Sequence, residues 1–199
     1  MNAMKGNSGG AAGMSLAVRL SPTACRLLRT RQRALVHGNW DVKCYRPDGS
    51  LRWQDGIVPN LITNGGLDHI LDIVLSGGSQ ITTWYVLLTA STPTVAAGDT
   101  MSSHAGWTEF TDYDEANRQT WTDGGVSSQS VDNSASKAVF TVSSNSSTIG
   151  GACLTSDNTK SGSSGTLLGG GAFSGGDKSA DDDDTISITA TYTAADDGA

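Results

Sequence analysis

Residues 38–54, GNWDVKCYRPDGSLRWQ, decide how the rest of the chain is read. Trp40, Val42 and Cys44 alternate with Asp41 and Lys43, the period of a strand with one face buried. Pro47-Asp48-Gly49 then supplies a fixed φ and a residue that accepts positive φ, which is turn chemistry. Leu51 and Trp53 resume the alternation, so residues 39–54 read as a β-hairpin, closed by Asp55-Gly56 and Pro59-Asn60. The far end of the chain repeats the pattern. Ile186, Ile188, Ala190 and Tyr192 alternate with Ser187, Thr189 and Thr191.

Between these ends lies one convincing helix. Thr63 or Asn64 can cap it, and Leu67, Ile70, Leu71, Val74 and Leu75 recur at helical spacing. Gly77-Gly78 ends it. Residues 81–89, ITTWYVLLT, are apolar on both faces and predict a central strand beneath that helix. A connection from Ala90 to about Asn117 follows. It is too long to be structureless in a compact domain, so its aromatics are expected to fold back on the sheet, with a short helical turn near Thr100 to His104. Short strands are expected at 118–122, 126–131, 138–143, 149–155, 165–168 and 185–192. No repeat with a period of roughly 20–50 residues interrupts them. The prediction is a mainly β fold: an antiparallel β-sandwich with an N-terminal hairpin and one amphipathic helix packed on the sheet.

The chain has 199 residues, which suits one domain with a short appendage. Charge marks the division. Residues 1–37 hold Lys5, Arg19, Arg26, Arg29, Arg31 and Arg33 and no acidic residue; with a net charge of −7 overall, the remainder carries −13. Residues 1–37 therefore read as a basic, flexible arm or extension and 38–199 as the β-sandwich domain. Three readings of the arm stay open. It is an assembly arm using Arg26, Arg29, Arg31 and Arg33 as partner contacts, a targeting segment, or an upstream extension with translation starting near Val36. Residues 14–36 fit one short amphipathic helix broken near Pro22. An acidic body argues against nucleic-acid binding, which needs clustered cations. No apolar run has the roughly 18 residues of a membrane span.

Candidate chemistry fails on spacing. Gly6-Asn7-Ser8-Gly9-Gly10 resembles the nucleophile loop of trypsin-like proteases, but the base and its carboxylate would have to precede it. His37, His69 and His104 are far apart in sequence, and His69 falls on the polar side of the helix. Cys25, Cys44 and Cys153 have no CxxC spacing, so reduced thiols are expected, with a Cys44–Cys153 bridge as the alternative. Asp181 to Asp184 form a like-charge run that reads as a solvated loop rather than a calcium site. Asp112, Asp114 and Glu115, a second acidic group beside Tyr113 and Arg118, read as local charge pairing in the long connection. No catalytic residue, cofactor or metal is assigned, and the chain is read as a non-enzyme. Trp107, Phe110, Tyr113 and Trp121 gather around the long connection. They form either a small core under it or an exposed ledge for sugar or protein.

The segments WYVLLTAS (84–91) and AAGDTMSSHAGWTEFTDYDEANRQTW (96–121) carry a resemblance. Together with Trp40-Asp41-Val42-Lys43-Cys44, the Asn60-to-Asp72 motif N-L-x-x-N-x-G-L-x-x-x-L-D and the Ser156-to-Leu167 motif S-x-x-T-K-x-G-x-x-G-x-L, they resemble a group of small tailed-bacteriophage and prophage virion-associated proteins. The resemblance covers about residues 38–193, and the basic N-terminus departs from it. It implies a virion structural protein, a capsid decoration (cement) or neck protein, assembled in the bacterial host cytoplasm. Its partners would be major capsid or connector subunits and further copies of itself. The alternative it implies is a receptor- or carbohydrate-binding module of a tail fibre or tail tip.

Overall fold

The computed structural model describes residues 34–57 and 60–196. The arginines proposed for the arm, residues 14–33 of its expected helix, Cys25 and the GNSGG stretch lie outside the described residues; the last three residues of that expected helix, 34–36, are strand instead, because they pair with the end of the chain.

The two alternating segments pair with each other. Strand β1 (Ala34–Tyr45) turns at Arg46–Ser50 into β2 (Leu51–Ile57). Gly49 sits at φ +80, and its N–H donates to the Arg46 carbonyl at 2.8 Å. On its other edge β1 runs antiparallel to the last strand, β13 (Thr185–Asp196), from Ala34↔Asp196 to Tyr45↔Thr185. This register places Trp40, Val42 and Cys44 opposite Ala190, Ile188 and Ile186, all facing one buried layer. The strand begins at Ala34, so ordered pairing crosses the expected boundary at residue 38.

The chain between them builds a second sheet. After β2 come β3 (Leu61–Ile62), helix α1 (Asn64–Leu71) with a π-helical turn over Asp72–Ser76, and β4 (Trp84–Thr89). Then follow β5 (Glu109–Phe110), β6 (Gln119–Trp121), β7 (Ser130–Asp132), β8 (Ala138–Thr141), β9 (Ser147–Ile149) and β10 (Gly151–Thr155). The remaining strands are β11 (Leu167–Ala172) and β12 (Lys178–Ala180). The first sheet has the order β2-β1-β13-β7, with β8 also on β13; the second runs β3-β11-β10-β4-β5, with β6 also on β4. A small β12-β9 pair stands apart. Among the described residues all pairings are antiparallel, the two sheets enclose one core and one helical segment is present, so the fold is a β-sandwich with a helix on it.

Both sheets use the same device: a central strand whose outer edge is shared end to end by two short ones. On β13 these are β8 along Thr185–Ile188 and β7 along Thr191–Thr193. On β4 they are β6 along Trp84–Val86 and β5 along Leu88–Thr89. The expected strand at 149–155 is in fact two. Gly150 divides it, and its N–H donates to Thr89 O while its carbonyl accepts from Phe173, so β9 and β10 join different sheets.

The covering of β4 differs from expectation. Val86 and Leu88 face the main core, whereas Leu87 points outward into a second cluster with Met101, Trp107, Cys153 and Leu167. The long connection, not the helix, lies over that outer face. Ala90 N–H bonds Thr108 O and Thr94 N–H bonds Gly106 O, both at 2.9 Å, so the connection runs out and back like an irregular hairpin. In place of a helical turn, residues 100–103 form a tight turn closed by a Thr100–Ser103 bridge.

Candidate functional site

Helix α1 starts as its residues require. The Thr63 hydroxyl accepts the Gly66 N–H at 3.1 Å and donates to Leu167 O, satisfying one of the free amides of the first turn and tying it to β11. Gly66 then packs directly on the Leu168 backbone, where any Cβ would collide with the Leu168 carbonyl. Gly77, at φ +73, ends the helical segment.

This anchoring decides which face turns inward. Gly66, His69, Ile70 and Ile73 face the body, and the last three line an apolar cavity of about 210 Å³ with Trp84, Leu154 and Tyr192. The rest of the apolar stripe is bare. Leu67, Leu71, Val74 and Leu75 are 42%, 55%, 72% and 77% exposed. At about 100° per residue the apolar positions cover roughly two thirds of the helix circumference, and the sandwich covers only half of that. The helix is thus packed on the sheet, but by one edge of its stripe. Asp68 and Asp72, both exposed, lie along one border of the uncovered part.

His69 departs from expectation too. Its ring sits edge-on to Trp84, with centroids 5.7 Å apart, and its buried Nε2 has no hydrogen-bond partner. The position lies on the inward edge of the stripe, not on the polar face.

The aromatics singled out from sequence do not form an exposed ledge. Trp107, Phe110, Tyr113 and Trp121 are all at least nine-tenths buried. Phe110, Tyr113 and Trp121 belong to the main core, and Trp107 to the separate cluster beneath the connection. Trp121 Nε1 donates to Ala190 O at 3.0 Å, Tyr113 packs edge-on to Phe140, and the Lys160 ammonium lies 3.8 Å over the Tyr113 ring. Trp107 Nε1 donates to Asp99 at 3.1 Å, and His104 stacks on the Trp107 indole at 3.6 Å. These side chains hold the connection against the sheet.

The carboxylates are engaged in the same way. Arg118, fully buried, makes a two-pronged pair with Glu109 at 2.9 and 2.7 Å and also donates to the carbonyls of Asp157 and Gly162. The Glu115 carboxylate receives the Thr141 N–H instead of pairing with Arg118. The aspartate run is only half solvated, a correction to its reading as a loop in water. Arg52 bridges Asp181 at 2.7 Å and the buried Asp184 at 2.9 Å, while Asp182 and Asp183 face outward. A guanidinium occupies the place where a cation would neutralise this run. Among the described residues no group of three or more His, Cys, Asp or Glu side chains could hold a metal ion.

Cys44 and Cys153 are free and buried apart from each other, Cys44 in the main core and Cys153 in the outer cluster. Burial pushes the Cys44 thiol up to about 12 and raises that of Cys153 as well. Among the described residues no helix is long and apolar enough to cross a membrane.

No protein-family model matches this chain, and no curated protein or solved structure matches it.

Proposed function

We propose that this protein is a non-catalytic structural subunit of a tailed-bacteriophage particle, a capsid decoration or neck component that binds neighbouring coat or connector subunits and further copies of itself. The observation that carries the reading is the outer face of α1. Leu67, Leu71, Val74 and Leu75 form a contiguous apolar surface on a chain whose long strands alternate normally, and such a surface marks a place that a neighbour covers. The sequence resemblance supplies the setting, and the sandwich supplies a rigid base from which one helix edge projects.

The test is incorporation. Leu71→Glu with Leu75→Glu alters two side chains that are more than half exposed, so the fold is retained, yet the variant is lost from purified particles while the unaltered protein co-purifies in many copies. Equal incorporation of the two proteins would remove the interface from this account. The receptor- or carbohydrate-binding alternative loses its motive with the burial of the four aromatics, and no other observation favours it.

A further inference from the structure

We infer that the uncovered face of α1 is the seat of segment 14–33 of an adjacent copy of this polypeptide. The inference rests on the reading of that face as an interface and names its occupant.

Three observations lead to this segment. The first is where the chain enters the described domain. Val36 lines the same cavity as Ile70 and Ile73, so the backbone reaches the sandwich beside the helix and the residues before Ala34 start there. Leu27 and Leu28 precede Ala34 by seven and six residues, which is about 20 Å of extended chain and enough to reach past its own helix to that of a copy seated alongside.

The second is composition. Residues 14–33, MSLAVRLSPTACRLLRTRQR, offer Leu16, Val18, Leu20, Leu27 and Leu28 among Arg19, Arg26, Arg29, Arg31 and Arg33. The α1 face offers a leucine and valine stripe edged by Asp68 and Asp72. Apolar residues meet apolar residues, and the arginines meet the aspartates and the acidic body. The third is the tether itself. In an assembly, a segment tethered to one copy meets the site on its neighbour at a high effective concentration, so a small apolar seat suffices where a free peptide would not be held.

The full chain carries its own probe, Cys25, because Cys44 and Cys153 are buried. Leu71→Cys places a partner thiol on the helix face. Leu51→Cys places one on an exposed site at the opposite end of β1 from Ala34. Mild oxidation followed by peptide mapping reads which thiols join. The expected result is a disulfide from Cys25 to the thiol introduced at position 71, formed about tenfold faster than the one to position 51. It forms between two chains, and it slows when Arg26, Arg29 and Arg31 are changed to Glu; a disulfide formed only within one chain would overturn the inference. Equal rates at the two sites would overturn the inference. Predominant dimers joined through position 71 of both copies would also overturn it, since the helix face would then pair with a second copy of itself. If the disulfide fails to form while Leu71→Glu with Leu75→Glu still abolishes incorporation, the occupant is wrong and the interface stands. If the disulfide forms and that variant is incorporated normally, the reverse holds.

Discussion

The Asn133 side chain completes the hydrogen bonding of Ala190 where the sheet runs out of backbone. Its Oδ1 accepts the Ala190 N–H at 2.8 Å, and its Nδ2 donates to Ile188 O at 3.1 Å. Strands β8 and β7 stop on either side of this point, so one amide stands in for a missing peptide group. Asn133→Ala leaves the buried Ala190 N–H without its partner and removes one donor from the Ile188 carbonyl, at a cost of about 1–3 kcal/mol. Asn133→Asp keeps the acceptor but opposes a carboxylate to the Ile188 carbonyl. Urea unfolding should show both variants less stable, with Asn133→Ser no better than Ala because its side chain cannot reach both groups.

Arg118 and Glu109 present a second test of buried polar structure. Arg118→Met strands the Glu109 carboxylate and the carbonyls of Asp157 and Gly162, and breaking such a pair costs about 3–5 kcal/mol. Adding Glu109→Gln removes the uncompensated charge and should restore part of the loss. A double-mutant cycle by denaturant unfolding measures the coupling.

The thiols give a pH-dependent prediction. Cys44 is neutral in the folded chain until about pH 12, against an ordinary value of 9.0. A raised pKa means that its stabilising contribution is complete below the ordinary value and is lost as the pH climbs through the folded one. Unfolding followed across the alkaline range should show falling stability that Cys44→Ala reduces. In neutral buffer, thiol reagents should label Cys44 and Cys153 only on unfolding.

At the acid end the sign reverses. Burial raises the Asp55 carboxyl, but the Lys178 ammonium and the N–H groups of Gly56 and Gly175 outweigh it and hold the carboxyl below its usual range. Asp181 is lowered by the Ser146 N–H and then by Arg52. A depressed carboxylate contributes stability above its unfolded pKa and loses it as the pH falls through the folded one. Stability should therefore decline below about pH 4, and less so in a variant carrying Asp55→Asn and Lys178→Gln.

Much of this fold is legible in the sequence, and the parts that are not fail for physical reasons. Alternation in β1 and β13 is visible because one face of each meets solvent. Thr63 and Gly77 mark the helix ends because capping is local chemistry. Strands β3, β5 and β12 are two or three residues long and leave no period to detect. The tandem β9 and β10 read as one strand, since nothing local tells which sheet each joins. Trp107, Phe110, Tyr113 and Trp121 look the same in a sequence whether they form a ledge or a core. Which edge of the α1 stripe is covered depends on Gly66 meeting β11, a contact between segments about a hundred residues apart. That edge is what defines the candidate site, so the site is less legible than the fold.

The central claim is that this chain is a structural subunit held in a phage particle through α1. Electron microscopy of intact particles from the source of this sequence tests it most directly. The account predicts density for the sandwich in many symmetry-related copies on the head or neck, with Leu67, Leu71, Val74 and Leu75 covered by a neighbouring chain segment. Particles that lack the protein, or that carry it with α1 open to solvent, would contradict it.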